Sequence, residues 1–256
     1  MALLSIQNVT KIYPGHNAGD NPVLALKNNS FDIEQDEFCS ILGHSGCGKT
    51  TMLNLIAGFE HPSEGQVLLD GEPIAGPSWE RSVIFQDYAL FPWLSVRQNV
   101  EFGLRMKKVP REERDSIVKR HIELVGLTGF EERLPHQLSG GMRQRVAVAR
   151  ALVISPRVLL MDEPFAALDA QNRTLMQREM LRIWNVERKT VVLVTHSIEE
   201  AITLSDRIIV MTKRPGRVKE DIRISIPRPR DEESLDVIAL RKRIRGLIQD
   251  EFEAET

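Results

Sequence analysis

Residues 38–57 read FCSILGHSGCGKTTMLNLIA, and this stretch decides the fold of the 256-residue chain. The opening FCSIL is a short, mostly apolar run that predicts a β-strand. Residues 43–50, GHSGCGKT, fit the G-x-x-x-x-G-K-[ST] pattern of a phosphate-binding loop. The residues after the loop carry apolar side chains at helical spacing up to Ala57, and Gly58 favours a helix end there. A strand, a glycine-rich loop and a helix in this order predict a binding site for a nucleoside triphosphate.

The residue types of this loop suit the chemistry of phosphate. Glycines let the backbone wrap closely around a phosphate group and present N–H donors, and the helix N-terminus adds a favourable dipole. Lys49 would neutralise charge on the β- and γ-phosphates, and the Thr50 hydroxyl would bind Mg²⁺. The alternative, a glycine-rich turn with a surface lysine, does not account for the full match between a strand and a helix. The loop alone does not separate ATPases from kinases or GTPases, because these classes share it.

A pair of carboxylates follows another apolar run. In LLMDE, residues 159–163, Asp162 and Glu163 stand where the run ends. Ligands bind outside the carboxyl ends of parallel strands, so Asp162 could hold Mg²⁺, directly or through water. Glu163 could orient or deprotonate an attacking water. The alternative is a solvated loop after a strand, and the phosphate-binding loop upstream favours the catalytic interpretation.

A second device for binding anions lies at residues 138–145, LSGGMRQR. Ser139 is a residue type that caps helix N-termini, and Gly140 and Gly141 leave backbone N–H groups accessible. An ordinary capped helix would use the same residues, so the cap alone leaves both interpretations open.

Apolar runs predict the core. Residues 157–161, 190–194 and 208–211 form nearly continuous apolar runs, which suit central parallel strands covered on both faces. Strands that alternate with helices predict an α/β core with a mostly parallel sheet. Residues 95–126 lose β-branched runs and gain charge, which predicts a helical insertion into that core.

Two further segments have patterns of their own. Residues 14–22 are rich in Gly, Pro, Asn and Asp, which predicts a turn or surface loop. The tail is proline-punctuated from Pro227 and has an amphipathic helical pattern from about Ser234. We expect this helix to pack on the core, because its polar side carries few surplus basic residues.

The composition excludes some classes of function. Lysine and arginine number 34 against 36 acidic residues, a net charge of −2, so no basic excess is available for nucleic acid. Cys39 and Cys47 form no C-x-x-C pair, which argues against a zinc site or a disulfide framework and favours a reducing compartment. The start of the chain predicts no signal peptide, and no apolar run approaches the roughly 20 residues that span a bilayer. We therefore expect any membrane contact to be made through a partner or a surface.

The string LSGGMRQR resembles the signature motif of ABC transporters. The chain is similar, over nearly its whole length and in the family's order of motifs, to the nucleotide-binding subunit of such a transporter. One departure is Met142, where many members have Gln; it leaves Ser139 and both glycines intact.

The resemblance implies roles for single residues that mean little alone. Tyr13 would stack on adenine, and Gln86 would sense Mg²⁺ and face the membrane partner. Asp169 would lie in the D-loop across a dimer interface, and His196 would act at the γ-phosphate. Each has a plainer alternative, such as packing for Tyr13 or capping for His196, and their joint occurrence at the family's spacing favours the functional interpretation.

Three sets of site residues follow from the resemblance and the motifs together. The nucleotide-binding set is Tyr13, Gly43, His44, Ser45, Gly46, Cys47, Gly48, Lys49, Thr50, Thr51, Gln86, Ser139, Gly140, Gly141 and Asp169. The catalytic set is Lys49, Glu163 and His196, and the metal set is Thr50, Gln86 and Asp162. The implied cofactors are ATP and Mg²⁺.

The implied fold is a P-loop NTPase (RecA-like) core with a mostly parallel sheet, an antiparallel β subdomain and an inserted α-helical subdomain. We expect a single ABC ATPase domain over residues 1–256. Residues 1–90 and 151–215 would form the core with the β subdomain, 91–150 the helical subdomain, and 216–256 a tail with a helix.

Two short segments indicate the kind of transporter. FPWL at residues 91–94 and KRPGR at residues 213–217 are similar to segments of subunits for nitrate, sulfonate and taurine uptake. A hydrophobic turn and a solvated basic turn are the alternatives. Exporter motors are often fused to membrane spans, and this chain has no apolar run of that length, so import is favoured.

The predicted function is to bind and hydrolyse ATP and thereby energise a membrane importer of a small solute. The implied partners are a second copy of the chain, integral membrane permease subunits and, indirectly, a solute-binding protein. The chain would lie at the cytoplasmic face of the membrane. The alternative is a soluble ABC ATPase that acts on nucleic acid or ribosomes; those proteins usually carry two motor domains or long insertions, which this sequence does not have.

Overall fold

The computed structural model describes residues 2–15 and 21–253. The loop predicted over 14–22 lies partly outside the described residues, since 16–20 are not among them. Within the described ranges the strands are β1 (Ala2–Tyr13), β2 (Val23–Glu34), β3 (Phe38–Leu42), β4 (Glu64–Leu69), β5 (Glu72–Pro73), β6 (Arg81–Ile84), β7 (Val158–Asp162), β8 (Thr190–Thr195), β9 (Arg207–Met211) and β10 (Val218–Arg223). The α-helices there are α1 (Lys49–Ala57), α2 (Val96–Met106), α3 (Arg111–Leu124), α4 (Gly140–Leu152), α5 (Ala170–Val186), α6 (Ile198–Leu204) and α7 (Leu235–Glu253), with a short 3₁₀ turn at Pro135–Gln137.

The chain divides into two compact units. The first unit comprises Met1–Ser78 with Thr190–Thr256, and the second Trp79–Lys189. The first unit contains an antiparallel sheet with the strand order β2-β1-β4-β5. Its remaining strands are neighbours in a second sheet, in the order β10-β9-β3-β8. There β3 pairs in parallel with both β8 and β9, and β10 runs antiparallel to β9.

Burial explains why the central strands were recognisable. Every residue of β3, β8 and β9 is buried. A strand covered on both faces has no polar side to present, so it reads as a continuous apolar run. The prediction of an α/β fold with a mostly parallel core and an antiparallel β part is confirmed.

The second unit combines a parallel strand pair with helices. Strand β6 pairs in parallel with β7, and α2 packs against α3 and α4. Ser95 and Gln98 form a capping box that starts α2, in which each side chain bonds the other residue's backbone N–H. The helices predicted for residues 95–126 are present as α2 and α3.

The tail of the chain packs on the first unit. Helix α7 buries Val237 and Ile244 in a cluster with Leu42, Ile202 and Ile208. The predicted packing of the tail helix on the core is therefore confirmed. None of the helices in the described part of the chain is long and apolar enough to cross a membrane.

Candidate functional site

The glycine-rich loop follows β3 and is shaped by contacts with β2. Gly48 has φ +101°, in the left-handed region that favours glycine, and precedes the first residue of α1. A Cβ at Gly48 would lie 2.7 Å from Leu26 Cδ2 and 3.0 Å from the Ala25 carbonyl oxygen. The backbone of β2 can approach the loop this closely because position 48 carries no side chain.

Lys49 is a buried cation that holds the two ends of the loop together. Its side chain belongs to a residue that is 4% exposed. The Nζ donates hydrogen bonds to the carbonyl oxygens of Gly43 at 2.9 Å and His44 at 2.8 Å. The ammonium group therefore lies inside the loop, where an anion bound by the loop would meet a positive charge. The neighbouring Thr50 is exposed. Burial raises the pKa of the Cys47 thiol, so the Cys47 side chain stays neutral.

Tyr13 ends β1 and is held by the residues around it. Its hydroxyl donates to Glu60 Oε1 at 2.9 Å and lies 3.3 Å from the hydroxyl oxygen of Thr51. Lys11 pairs with Glu60 at 3.0 Å and stands 5.0 Å from the centre of the Tyr13 ring. The half-buried ring is thus fixed to the helix that follows the loop, while Lys11 adds a cation–π contact. Sequence reasoning missed Lys11 and Glu60, because no local pattern links them to Tyr13.

Strand register brings His196 to the same sheet edge as the loop. Leu42 of β3 pairs with Thr195 of β8, so Gly43 and His196 each follow the last residue of parallel neighbouring strands. His196 is exposed there. Ser197 caps α6 directly behind it, with its hydroxyl accepting a bond from the Glu200 N–H at 3.2 Å. Within the first unit, the carboxyl edge of the sheet therefore carries both predicted residues.

In the second unit, register aligns the acidic pair with Gln86. Ile84 of β6 pairs with Met161 of β7, so Gln86 and the pair Asp162–Glu163 follow neighbouring strands at one edge. Gln86 is exposed and both carboxylates are half-buried. Glu163 has φ +44°, a strained conformation for a residue with a side chain. Strain of this kind clusters at functional sites.

The segment FPWL, residues 91–94, is held by one buried side chain. Asn99, which is fully buried, accepts a bond from the Phe91 N–H at 2.9 Å. Its Nδ2 donates to the carbonyl oxygens of Phe91 at 3.2 Å, Leu94 at 2.9 Å and Ser95 at 3.0 Å. Trp93 is left 72% exposed, with its ring 5.8 Å from that of Phe91. The segment is therefore a fixed turn that presents a tryptophan.

Asn99→Ala is expected to lower the free energy of unfolding by about 2 kcal/mol or more, because half-buried backbone groups of Phe91 and Leu94 and the buried Ser95 carbonyl lose their partner. Urea unfolding followed by circular dichroism measures this. Arg105→Ala, at an exposed position of the same helix, is the control and should behave as the wild type. Equal stability of Asn99→Ala and the control would contradict the structural role of Asn99.

The signature segment starts α4. The Ser139 hydroxyl accepts a bond from the Met142 N–H at 3.3 Å, as an N-cap does. A cleft of about 290 Å³ opens beside this helix end. Its lining residues come from α4, the N-cap of α4 and α5: Ser139, Gly141, Met142, Arg145, Asn172, Leu175, Met176 and Glu179. Ser139 and Gly141 thus place the N-terminal end of α4 in the wall of the cleft, where an anion can approach the helix dipole.

Asp169 caps the next helix. Its Oδ1 accepts from the Asn172 N–H at 3.0 Å and its Oδ2 from the Asn172 side chain at 2.6 Å. These hydrogen bonds hold the pKa of the Asp169 carboxyl below its usual value. The capping contact fixes the start of α5, and the predicted role of Asp169 at a dimer interface stays a prediction.

A strand, a glycine-rich loop and a helix, with a buried lysine inside the loop, define a P-loop nucleotide-binding protein. A family model described as ABC transporter matches residues 26–166, which include the loop, the signature segment and the acidic pair.

Relatives agree with this match. An ABC transporter ATP-binding protein of Methanocaldococcus jannaschii is 51% identical, over 97% of this chain and 92% of the relative. A taurine import ATP-binding protein of Roseobacter denitrificans is 48% identical, over 88% of this chain and 83% of its own length. A nitrate import ATP-binding protein of Synechococcus elongatus is 46% identical, over 84% of this chain and 79% of the relative.

A solved structure agrees as well. A dimeric ATP-binding cassette in a post-hydrolysis state, bound to ADP and Pi, has a TM-score of 0.74 and 34% identity, covering 88% of this chain and 100% of that one. The chain belongs to the ABC transporter family and is an ATP-binding, ATP-hydrolysing subunit. The predicted resemblance to nitrate and taurine import subunits is confirmed.

Proposed function

We propose that this chain energises a membrane importer of a small solute of the nitrate, sulfonate or taurine type. The observation that carries the proposal is that relatives named for taurine and nitrate import match more than four fifths of the chain at 48% and 46% identity. The fixed FPWL turn with its exposed Trp93 supports it, since such a turn offers a rigid apolar contact to another protein.

The first unit would bind ATP. We assign adenine stacking to Tyr13, whose ring is fixed by Glu60 and Lys11. The loop of residues 43–51 would bind the phosphates, and Lys49 supplies a buried positive charge there. His196, at the carboxyl edge of β8, would contact the γ-phosphate.

Mg²⁺ fits the donor types of the predicted metal set. The Thr50 hydroxyl, the Asp162 carboxylate and the Gln86 amide all offer oxygen, which this cation prefers. When bound, Mg²⁺ would neutralise phosphate charge during transfer of the γ-phosphoryl group to water, with ADP as the leaving group. Glu163 would accept the proton of the attacking water, and its strained backbone is consistent with a fixed position for that carboxylate.

A second copy would complete the site. We assign Ser139, Gly140 and Gly141 to the γ-phosphate of ATP bound by the partner copy, and Asp169 to the interface between copies. The dimeric state of the ATP-binding cassette that this chain resembles supports the assignment. The remaining partners would be permease subunits and, through them, a solute-binding protein, with the chain at the cytoplasmic face of the membrane.

The test is a tagged pull-down from detergent-solubilised membranes, with the partners identified by mass spectrometry. Stoichiometric recovery of a polytopic membrane protein is expected. Trp93→Ala should reduce that recovery, while Trp79→Ala, at another exposed tryptophan of the same unit, should not. Recovery of ribosomes or nucleic acid without a membrane protein would move the chain to the soluble ATPases of the family.

A further inference from the structure

The loop of residues 212–217 connects β9 to β10 and lies against the phosphate-binding loop. It contains the KRPGR segment. Arg214 Nε donates a hydrogen bond to the Gly46 carbonyl oxygen at 3.3 Å. A connection that lies far from the phosphate-binding loop in sequence is thus tied to that loop by a side chain.

Gly216 makes the closest approach between the two loops. A Cβ built on this buried glycine would lie 2.1 Å from the Cys47 carbonyl oxygen. It would also lie 2.9 Å from Met211 Cε and 3.2 Å from Leu26 Cδ2. The first distance is far shorter than any contact between nonbonded atoms, so a side chain at position 216 requires the backbone to move.

The backbone of Gly216 is anchored on its other side and has little freedom to retreat. Its N–H donates to the Ala25 carbonyl oxygen at 2.8 Å. Its carbonyl oxygen accepts from the Lys27 N–H at 3.0 Å and from Nδ2 of the buried Asn29 at 3.0 Å. Three hydrogen bonds therefore fix Gly216 to β2, and an added side chain would displace Cys47.

The same part of β2 also supports Gly48. Leu26 Cδ2 and the Ala25 carbonyl oxygen are the atoms that a Cβ at Gly48 would strike, at 2.7 Å and 3.0 Å. Residues 25–27 thus contact both Gly216 and the residue just before Lys49. A shift of the Gly216 or Cys47 backbone would therefore also move the Lys49 ammonium group.

We infer that Gly216 and Arg214 are positioning residues that set the shape of the phosphate-binding loop, Gly216 through the Cys47 carbonyl and Arg214 through the Gly46 carbonyl. The inference rests on the proposed role of residues 43–51 in binding ATP. Neither residue is assigned a contact with the nucleotide; both act through the loop backbone.

The 212–217 loop supports itself, which makes a clean experiment possible. The Thr212 hydroxyl donates to the Pro215 carbonyl oxygen at 3.1 Å and accepts from the Arg217 N–H at 3.0 Å. Arg214 is exposed, so its truncation should leave the loop and the fold intact. Arg217 is a matched control, an exposed arginine of the same loop whose backbone N–H, rather than its guanidinium, makes this contact.

The experiment measures the Kd of the Mg²⁺ complex of AMP-PNP, a non-hydrolysable ATP analogue, by calorimetry on the full chain. Arg214→Ala should raise Kd about fivefold, the value of one lost hydrogen bond. Arg214→Lys should recover part of the affinity, because an ammonium group can also donate to the Gly46 carbonyl. The KM for ATP should rise with kcat unchanged, and the Tm without nucleotide should equal that of the wild type. Arg217→Ala should bind as the wild type does.

Gly216→Ala should weaken binding by about tenfold or more, since a displaced loop backbone misplaces several donors together. If Gly216→Ala does not fold, the affinities of Arg214→Ala and Arg214→Lys test the positioning role on their own. Wild-type affinity in Arg214→Ala, or an equal loss in Arg217→Ala, would overturn the inference. Lys49→Ala, measured alongside, distinguishes failure of the positioning role from failure of the proposed ATP site. If Lys49→Ala is the only variant that loses binding, the positioning role of Arg214 and Gly216 is wrong. If Lys49→Ala binds normally, the assignment of the phosphate-binding loop is wrong.

Discussion

Glu163→Gln is expected to lower steady-state ATP hydrolysis by about 10²- to 10⁴-fold, the usual contribution of a general base. The amide has nearly the shape of the carboxylate but cannot accept the proton of the attacking water. ATP binding should persist, because none of the assigned phosphate contacts is made by Glu163. Phosphate release measures the rate, and calorimetry measures the binding.

The same variant should accumulate as an ATP-bound dimer. If ATP closes two copies together and hydrolysis releases them, a chain that binds without hydrolysis stays closed. Size-exclusion chromatography with and without ATP shows this directly. Glu112→Gln, at an exposed position in the first turn of α3, is the control and should hydrolyse ATP normally. Normal turnover by Glu163→Gln would remove Glu163 as the base.

Local patterns predicted the parts of the site that lie within one stretch of chain. The apolar run of β3, the glycines after it and the helix pattern behind it all stand next to one another in the sequence. The cap at Ser139 was likewise readable, since its hydrogen bond reaches a residue three positions away. Burial on both faces made β3 and β8 apolar throughout, which is why the parallel core was predictable.

Contacts between distant residues were not predictable, because no local pattern encodes them. The hydrogen bond between Tyr13 and Glu60 joins residues 47 positions apart in the sequence. The hydrogen bond between Asn29 and Gly216 joins residues 187 positions apart. Asn29 reads as one of several polar residues in the middle of β2, yet it is fully buried and holds Gly216 in place. The shape of the phosphate-binding loop thus depends on residues that its motif does not include.

Lys49→Ala is expected to weaken ATP binding by about 100-fold or more. Hydrogen bonds to charged groups contribute about 1.5–3 kcal/mol each, and an ammonium group can make more than one to a polyphosphate. The lysine is 4% exposed, so the phosphate charge would lose a counter-charge that water replaces poorly. The variant also leaves the carbonyl oxygens of Gly43 and His44 without the donor that links them.

The measurement is a calorimetric titration with Mg²⁺–AMP-PNP, together with the Tm of the nucleotide-free chain. The Tm separates a loss of the loop's internal bonds from a loss of the phosphate contact, because the first lowers Tm without nucleotide and the second does not. Lys119→Ala, which removes a lysine that is 76% exposed on α3, is the control and should bind as the wild type does. Wild-type affinity in Lys49→Ala would mean that the buried ammonium group serves the loop's own carbonyls and not a phosphate, and the nucleotide would have to be placed elsewhere.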